Sequence, residues 1–186
     1  MNQAARTEKT PNIKIRIENA RFSYAHVYKP QAAVDGGDPK YSVSILIPKS
    51  AKDDIKRIQE AIKATATAKA HVWNGRVPAD LRNPLRDGDI DKPDYPEYAN
   101  HYFINASSKQ MPGVVGPDGR TPVDYLVSGD YGRVTVNFYA YNRAGNRGVG
   151  CGLQNIQWLR EGEPLGGSRS KPEDDFDAVE TENLWD

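Results

Sequence analysis

The sequence predicts a mainly β domain, a small five-stranded barrel with one helix at about residues 51–70 and long loops between its elements. Three observations predict it. Thirteen prolines and sixteen glycines in 186 residues would interrupt a helical bundle. Several short stretches alternate apolar and polar residues, the two-residue period of a half-buried strand. Only one stretch carries helical spacing. A chain of this length holds one domain with a proper core but not two comfortable ones. The domain is therefore expected over residues 12–160, with a disordered 1–11, a linker over 161–171 and a disordered acidic tail over 172–186.

The first strand is IKIRIENARFSY, with Ile13, Ile15 and Ile17 on one face and Lys14, Arg16 and Glu18 on the other. Asn19 and Ala20 break the period, which resumes with Phe22 and Tyr24 together, so a bulge is expected near Asn19. VDGGDPK supplies turn chemistry. YSVSILIPK follows as a second strand, with Tyr41, Val43, Ile45 and Ile47 on one side, two serines opposite, and Pro48 at its end. Ser50 with Asp53 has the form of a capping box, and Ile55, Ile58 and Ile62 recur behind it at helical spacing. Residues 74–98, punctuated by Pro78, Pro84, Pro93 and Pro96, make too long a loop for a plain connection. HYFINASS is a further strand, followed by the loop PGVVGPDGRTP and a short apolar run ending at Ser128.

The stretch RVTVNFYAYNRAGNRG, Arg133 to Gly148, divides by register. Val134, Val136, Phe138 and Ala140 form the core face, whereas Arg133, Thr135, Asn137, Tyr139, Tyr141 and Arg143 stand opposite on the accessible one. NR-AGN-RG is a hairpin tip, and it leads into a glycine-rich strand in which Val149, Cys151 and Leu153 alternate. Strand, bend, strand, helix and further strands with long connections is the pattern of the oligonucleotide-binding barrel, the OB-fold.

The net charge of zero conceals a segregation. Residues 172–186 hold seven acids and no Lys or Arg, so residues 1–171 hold all 25 basic residues against 18 acids, a net of +7. A basic body tied to an acidic tail points to a polyanionic partner. A protein that holds a single strand of nucleic acid without sequence preference needs cations along a groove and flat rings on which bases stack. Tyr139, Tyr141, Arg133 and Arg143 supply both on one strand face, Arg147 stands at the hairpin tip, and Lys14, Arg16 and Arg21 extend the cationic wall. Tyr28 with the adjoining Lys29 is a further candidate, whereas Tyr24, Tyr102 and Trp73 suit packing equally well. Single-stranded DNA is the expected partner, with RNA not distinguished from it, and the composition leaves homo-oligomerisation open.

Other chemistries find less. One cysteine excludes an intramolecular disulfide and, with three scattered histidines, leaves no zinc cluster, so a reducing cytoplasm is the expected setting. Neither a secretory leader nor a run of about 18 apolar residues is present, so no membrane role is expected. His26, His71 and His101 have no acidic or cysteine partner at a telling spacing, so no catalytic residue, cofactor or metal is assigned. Asp87, Asp89 and Asp91 in DGDID have the look of a hard-metal loop, which makes a metal-dependent nuclease the rival expectation. A virion structural β-barrel is a third. In the tail, Phe176, Leu184, Trp185 and Asp186 set apolar anchors among carboxylates, a composition suited to docking on partner proteins.

RFSYAHVYKP, KYSVSILIPK, PLRDGD, HYFINASS, NFYAYNRAGNRGVGCGLQNIQ and EGEPLGG occur in this order between about Ile15 and Gly167. Together they resemble the phage single-stranded DNA-binding proteins of a family long described as of unknown function. The resemblance implies an OB-fold that coats single-stranded DNA in phage replication and recombination, in the host cytoplasm and without catalysis. The tail is also similar to those of bacterial and T7-type single-stranded DNA-binding proteins, which recruit polymerase and helicase. It departs from them by ending in Trp185–Asp186 rather than in phenylalanine.

Overall fold

The structure is a computed structural model and describes residues 12–33 and 36–165; the tail and its anchors Phe176, Leu184, Trp185 and Asp186 lie outside the described residues. β1 (Ile13–Gln31) pairs antiparallel with β2 (Lys40–Pro48) along one edge and with β6 (Tyr131–Arg143) along the other. β2 continues to β4 (His101–Ser108), and β6 continues to β7 (Asn146–Arg160). A parallel bridge from Ser107 of β4 to Gly152 of β7 closes the ring. This is the five-stranded OB barrel that the pattern predicts. Two short strands are added at its margins, β3 (Arg86–Asp87) on β4 and β5 (Gly113–Val115) on β7.

β1 serves both edges because it bends. Its register with β6 shifts between Ile17 and Ala20, the bulge expected near Asn19. A bulge leaves backbone donors without a ladder partner. Asp54 of α1 (Lys52–Ala68) supplies the acceptor: its carboxylate takes the N–H groups of Glu18 (3.0 Å) and Asn19 (2.9 Å) and the Asn19 side-chain amide (2.9 Å), and pairs with Arg57. Burial works to raise this carboxyl, but the donors outweigh it and hold Asp54 below the ordinary carboxylate value. The expected Ser50 cap is not formed. Ala51 is the N-cap, without a side-chain cap bond, and Asp53 and Asp54 in the first turn complement the helix dipole instead.

Ile17, Phe22, Val27, Ile45, Ile58, Ile104, Val136 and Phe138 are fully buried at the centre, with α1 packed on β1, β6 and β7. Two expectations fail locally. Tyr24 does not share the face of Phe22. It adopts a left-handed φ of 47° and turns outward, 49% exposed, as the β1–β2 register shifts again between Ser23 and His26. Part of the polar face of β2 is not open to solvent either, Ser44 being buried whereas Ser42 is only half-buried. The proline-rich loop folds over it and buries Tyr98 with Leu46 and Phe103, the Tyr98 hydroxyl reaching Ser44 Oγ at 3.1 Å. No described helix is long and apolar enough to cross a membrane.

Candidate nucleic-acid interface

β6 and β7 meet in a two-residue turn, Ala144–Gly145, both at positive φ (48° and 82°), with Arg143 opposite Asn146. The register sets Asn137 opposite Gly152, Tyr139 opposite Gly150 and Tyr141 opposite Gly148. Each of these glycines leaves room for the β6 side chain facing it. A Cβ at Gly150 would overlap the Tyr139 ring, and one at Gly148 would lie 2.6 Å from the Tyr141 hydroxyl. The two rings can therefore lie across β7, with centroids 6.4 Å apart and planes tilted by 53°. Beneath them Trp73 is buried and donates Nε1–H to the Tyr141 carbonyl at 3.0 Å, which fixes this end of β6.

The rings form one wall of a cleft of about 430 Å³ that also involves Lys40, Arg86, Asn105, Ser107, Arg143 and Asn146. Lys40 comes from the start of β2, Arg86 from β3, and Asn105 and Ser107 from the outer face of β4. The Arg86 guanidinium is positioned 5.0 Å over the Phe103 ring and pairs with Asp91 at 3.1 Å. Burial raises the Tyr139 hydroxyl above its ordinary value, helped by Cys151 and opposed by Arg143, so the ring is presented as a neutral phenol. Cys151, as expected from its alternation, is buried under this floor.

The sequence-predicted residues divide into groups. Tyr139, Tyr141 and Arg143 come together in the cleft. Lys14 and Arg16 lie beside Asn137 and Thr135 across the β1–β6 ladder, and Glu18 holds Arg16 on one oxygen and Arg133 on the other at 2.9 Å. Arg16 and Arg133 are thus partly neutralised. Arg147 pairs with Asp80 at 2.9 Å, an exposed contact. Arg21 is set elsewhere: it donates to the carbonyls of Gly129 (3.0 Å) and Glu163 (2.9 Å), and with Arg160 it packs on Tyr131. Tyr28 holds a loop rather than presenting a free ring, its hydroxyl donating to the Val123 carbonyl at 3.0 Å and accepting from Leu126 N–H at 3.2 Å. Lys29 next to it is exposed.

Lys40, Arg86, Asn105 and Ser107 escaped the sequence reasoning because long-range pairing alone delivers them. The glycines carried a signal that could have been used: G-V-G-C-G alternates in phase with N-F-Y-A-Y, small opposite large across a two-residue hairpin. The carboxylates of DGDID are engaged internally. Lys49 pairs with Asp87 at 2.9 Å and Asp89 at 2.7 Å, and no group of three or more potential metal ligands occurs among the described residues.

Gly150→Ala is expected to displace the Tyr139 ring and weaken single-strand binding by about 1 kcal/mol or more, as for a lost stack. The Cβ would press on the far end of a flexible side chain, so the melting temperature should change little. A cycle with Tyr139→Ala checks it: once the ring is gone, Gly150→Ala should have no further effect on affinity.

Residues 13–184 match the family model described as the single-stranded DNA-binding protein of Enterobacter phage Enc34. Protein p50 of Acyrthosiphon pisum secondary endosymbiont phage 1 is 32% identical over 189 aligned positions, covering 92% of this chain and 98% of its own length. The single-stranded DNA-binding protein from bacteriophage Enc34, solved in complex with ssDNA, superposes with a TM-score of 0.72 at 28% identity, over 82% of this chain and 89% of that one. The bacteriophage T7 single-stranded DNA binding protein gp2.5 shares the fold, with a TM-score of 0.59 at 15% identity over 90% of this chain and 96% of its own. Barrel, cleft and family model agree, and the chain belongs to the family of phage single-stranded DNA-binding proteins typified by that of Enterobacter phage Enc34.

Proposed function

We propose that this chain coats single-stranded DNA without reading base identity, in phage DNA replication and recombination in the host cytoplasm, and catalyses no reaction. The observation that carries this is the pair of rings, Tyr139 and Tyr141, set over the glycines of β7 in a cleft that also holds Lys40, Arg86 and Arg143. Every base has a face to stack on, so such a platform accepts any sequence, while the cations hold phosphates. Arg143, Asn146 and Arg147 at the hairpin tip act as a clamp, and Lys14, Arg16 and Arg133 extend the field along β1 and β6. The solved complex of the Enc34 relative with ssDNA supports the choice of ligand.

The acidic segment 172–186 imitates a nucleic-acid backbone and occupies the cleft until DNA displaces it. Phe176, Leu184 and Trp185 then engage replication proteins of the polymerase or helicase kind.

One titration tests both parts. Oligothymidine, duplex DNA and RNA are compared at two salt concentrations, with the intact chain and with residues 172–186 deleted. Single-stranded DNA should bind in preference to duplex. Three phosphate contacts give a slope of log K against log salt of about −2. The shortened chain should bind several-fold more tightly at low salt. Equal affinity of the two chains at low salt would refute the competition, and salt-independent binding would refute the cleft.

A further inference from the structure

Tyr24 and Tyr95 line a second cavity on the outside of the barrel, of about 410 Å³, together with Ser23, His26, Glu97 and Ser128. Both rings are open to solvent, at 49% and 43% exposure. Tyr24 reaches this position only through its left-handed backbone, a conformation rare for an aromatic residue and one that breaks the alternation which would have turned the ring inward. Tyr95 is steadied from behind, edge-to-face on the buried Tyr98 at 6.1 Å, with the Lys92 ammonium 5.3 Å over its ring. Two exposed tyrosines, one in a strained conformation and one braced, make a second aromatic platform on the barrel surface.

The register places this platform close to the first. His26, which lines the second cavity, is paired with Ser42 of β2, Ser42 with Ser107 of β4, and Ser107 lines the Tyr139–Tyr141 cleft. Two strand spacings, about 10 Å, separate His26 from Ser107. The residue between them, Ser42, is small, uncharged and half-buried, so its own side chain neither repels nor blocks a polynucleotide.

We propose that a strand of DNA held on Tyr139 and Tyr141 continues across β4 and β2, and that one of its bases stacks at Tyr24 and Tyr95. This rests on the single-strand binding proposed above and adds the direction in which the strand runs. Glu97 at the rim makes the second cavity a site for a neutral base face rather than for a phosphate.

The test uses the full-length chain, oligothymidines of about 4 and about 12 nucleotides, and fluorescence anisotropy at constant salt. Tyr95→Ala and Tyr24→Asn are the variants, asparagine being tolerant of the left-handed backbone. Either variant should weaken binding of the longer oligonucleotide about tenfold, as expected for one lost stack, and leave the shorter one unchanged. Unchanged binding of the longer oligonucleotide by both variants would overturn the proposal. That outcome differs from failure of the first cleft, in which Tyr139→Ala would leave binding of the short oligonucleotide unaffected.

Discussion

Replacing Tyr139 and Tyr141 together by alanine is expected to weaken binding of an oligothymidine by about 2 to 6 kcal/mol, the sum of two stacks of about 1 to 3 kcal/mol each. The rings stand on the outer face of β6, while Val134, Val136 and Phe138 hold the core from the other side, so folding should survive the change. Each single variant should lose at most about half of the effect. The two rings are 6.4 Å apart, close enough for one to reposition a base that the other has lost, so the double change need not equal the sum of the singles. Anisotropy titrations at one salt concentration, with circular dichroism melts as a control on folding, check this directly. Loss of binding with an unchanged salt slope is the signature of stacking, because the cations remain in place. An affinity within twofold of the intact chain would mean that bases stack elsewhere.

The second large effect concerns stability. Asp54→Ala should destabilise the fold by roughly 3 kcal/mol, since it leaves the bulge donors of Glu18 and Asn19 without their charged acceptor and Arg57 without its partner. For a chain of this size that corresponds to a fall in melting temperature of about 6 to 12 °C. Asp54→Asn, which keeps one carbonyl oxygen, should lose only part of it. The carboxyl lies below its ordinary value in the folded state. Its contribution is therefore complete above the unfolded value of about 3.9 and is lost as pH falls through the lower folded value. Melts of intact protein and Asp54→Ala should differ by a constant amount near neutral pH and converge in acid. A gap that persisted below pH 2 would show that the effect is packing and not the ionised acceptor.

The barrel was legible from residue order because its strands carry their own periods. Ile13–Ile15–Ile17, Val134–Val136–Phe138 and Val149–Cys151–Leu153 each alternate, and the hairpin AGN announced its own turn. Alternation even split the aromatics of β6 correctly, Phe138 inward and Tyr139 outward. It failed where a second layer or a backbone exception intervened. Ser44 and Leu46 face away from the barrel core and are buried all the same, because the proline-rich loop returns from some 50 residues downstream to set Tyr98 upon them. Tyr24 lost its expected place to a single left-handed residue, an event with no periodic trace.

The candidate site was legible in part for the same reason. Tyr139, Tyr141 and Arg143 share one strand face, a local property that a two-residue period fixes. The partners of each cation were not local. Glu18 lies across the β1–β6 ladder from Arg133, Asp80 is 67 positions from Arg147, and the carbonyl that engages Arg21 belongs to Gly129, 108 positions away. Charge counted along the chain gave a basic body, yet several of its arginines are committed to protein groups. By itself, then, the sequence determined the strands, the hairpin and the exposed tyrosines, because these depend on near neighbours in the chain, and the opposed charges of body and tail, because these are sums over composition. Only the tertiary structure decided which cations the cleft keeps and which glycines lie beneath its rings. It also decided that Lys40, Arg86 and Ser107 meet there, because such choices are made by pairing between strands whose contacts leave no period in the chain.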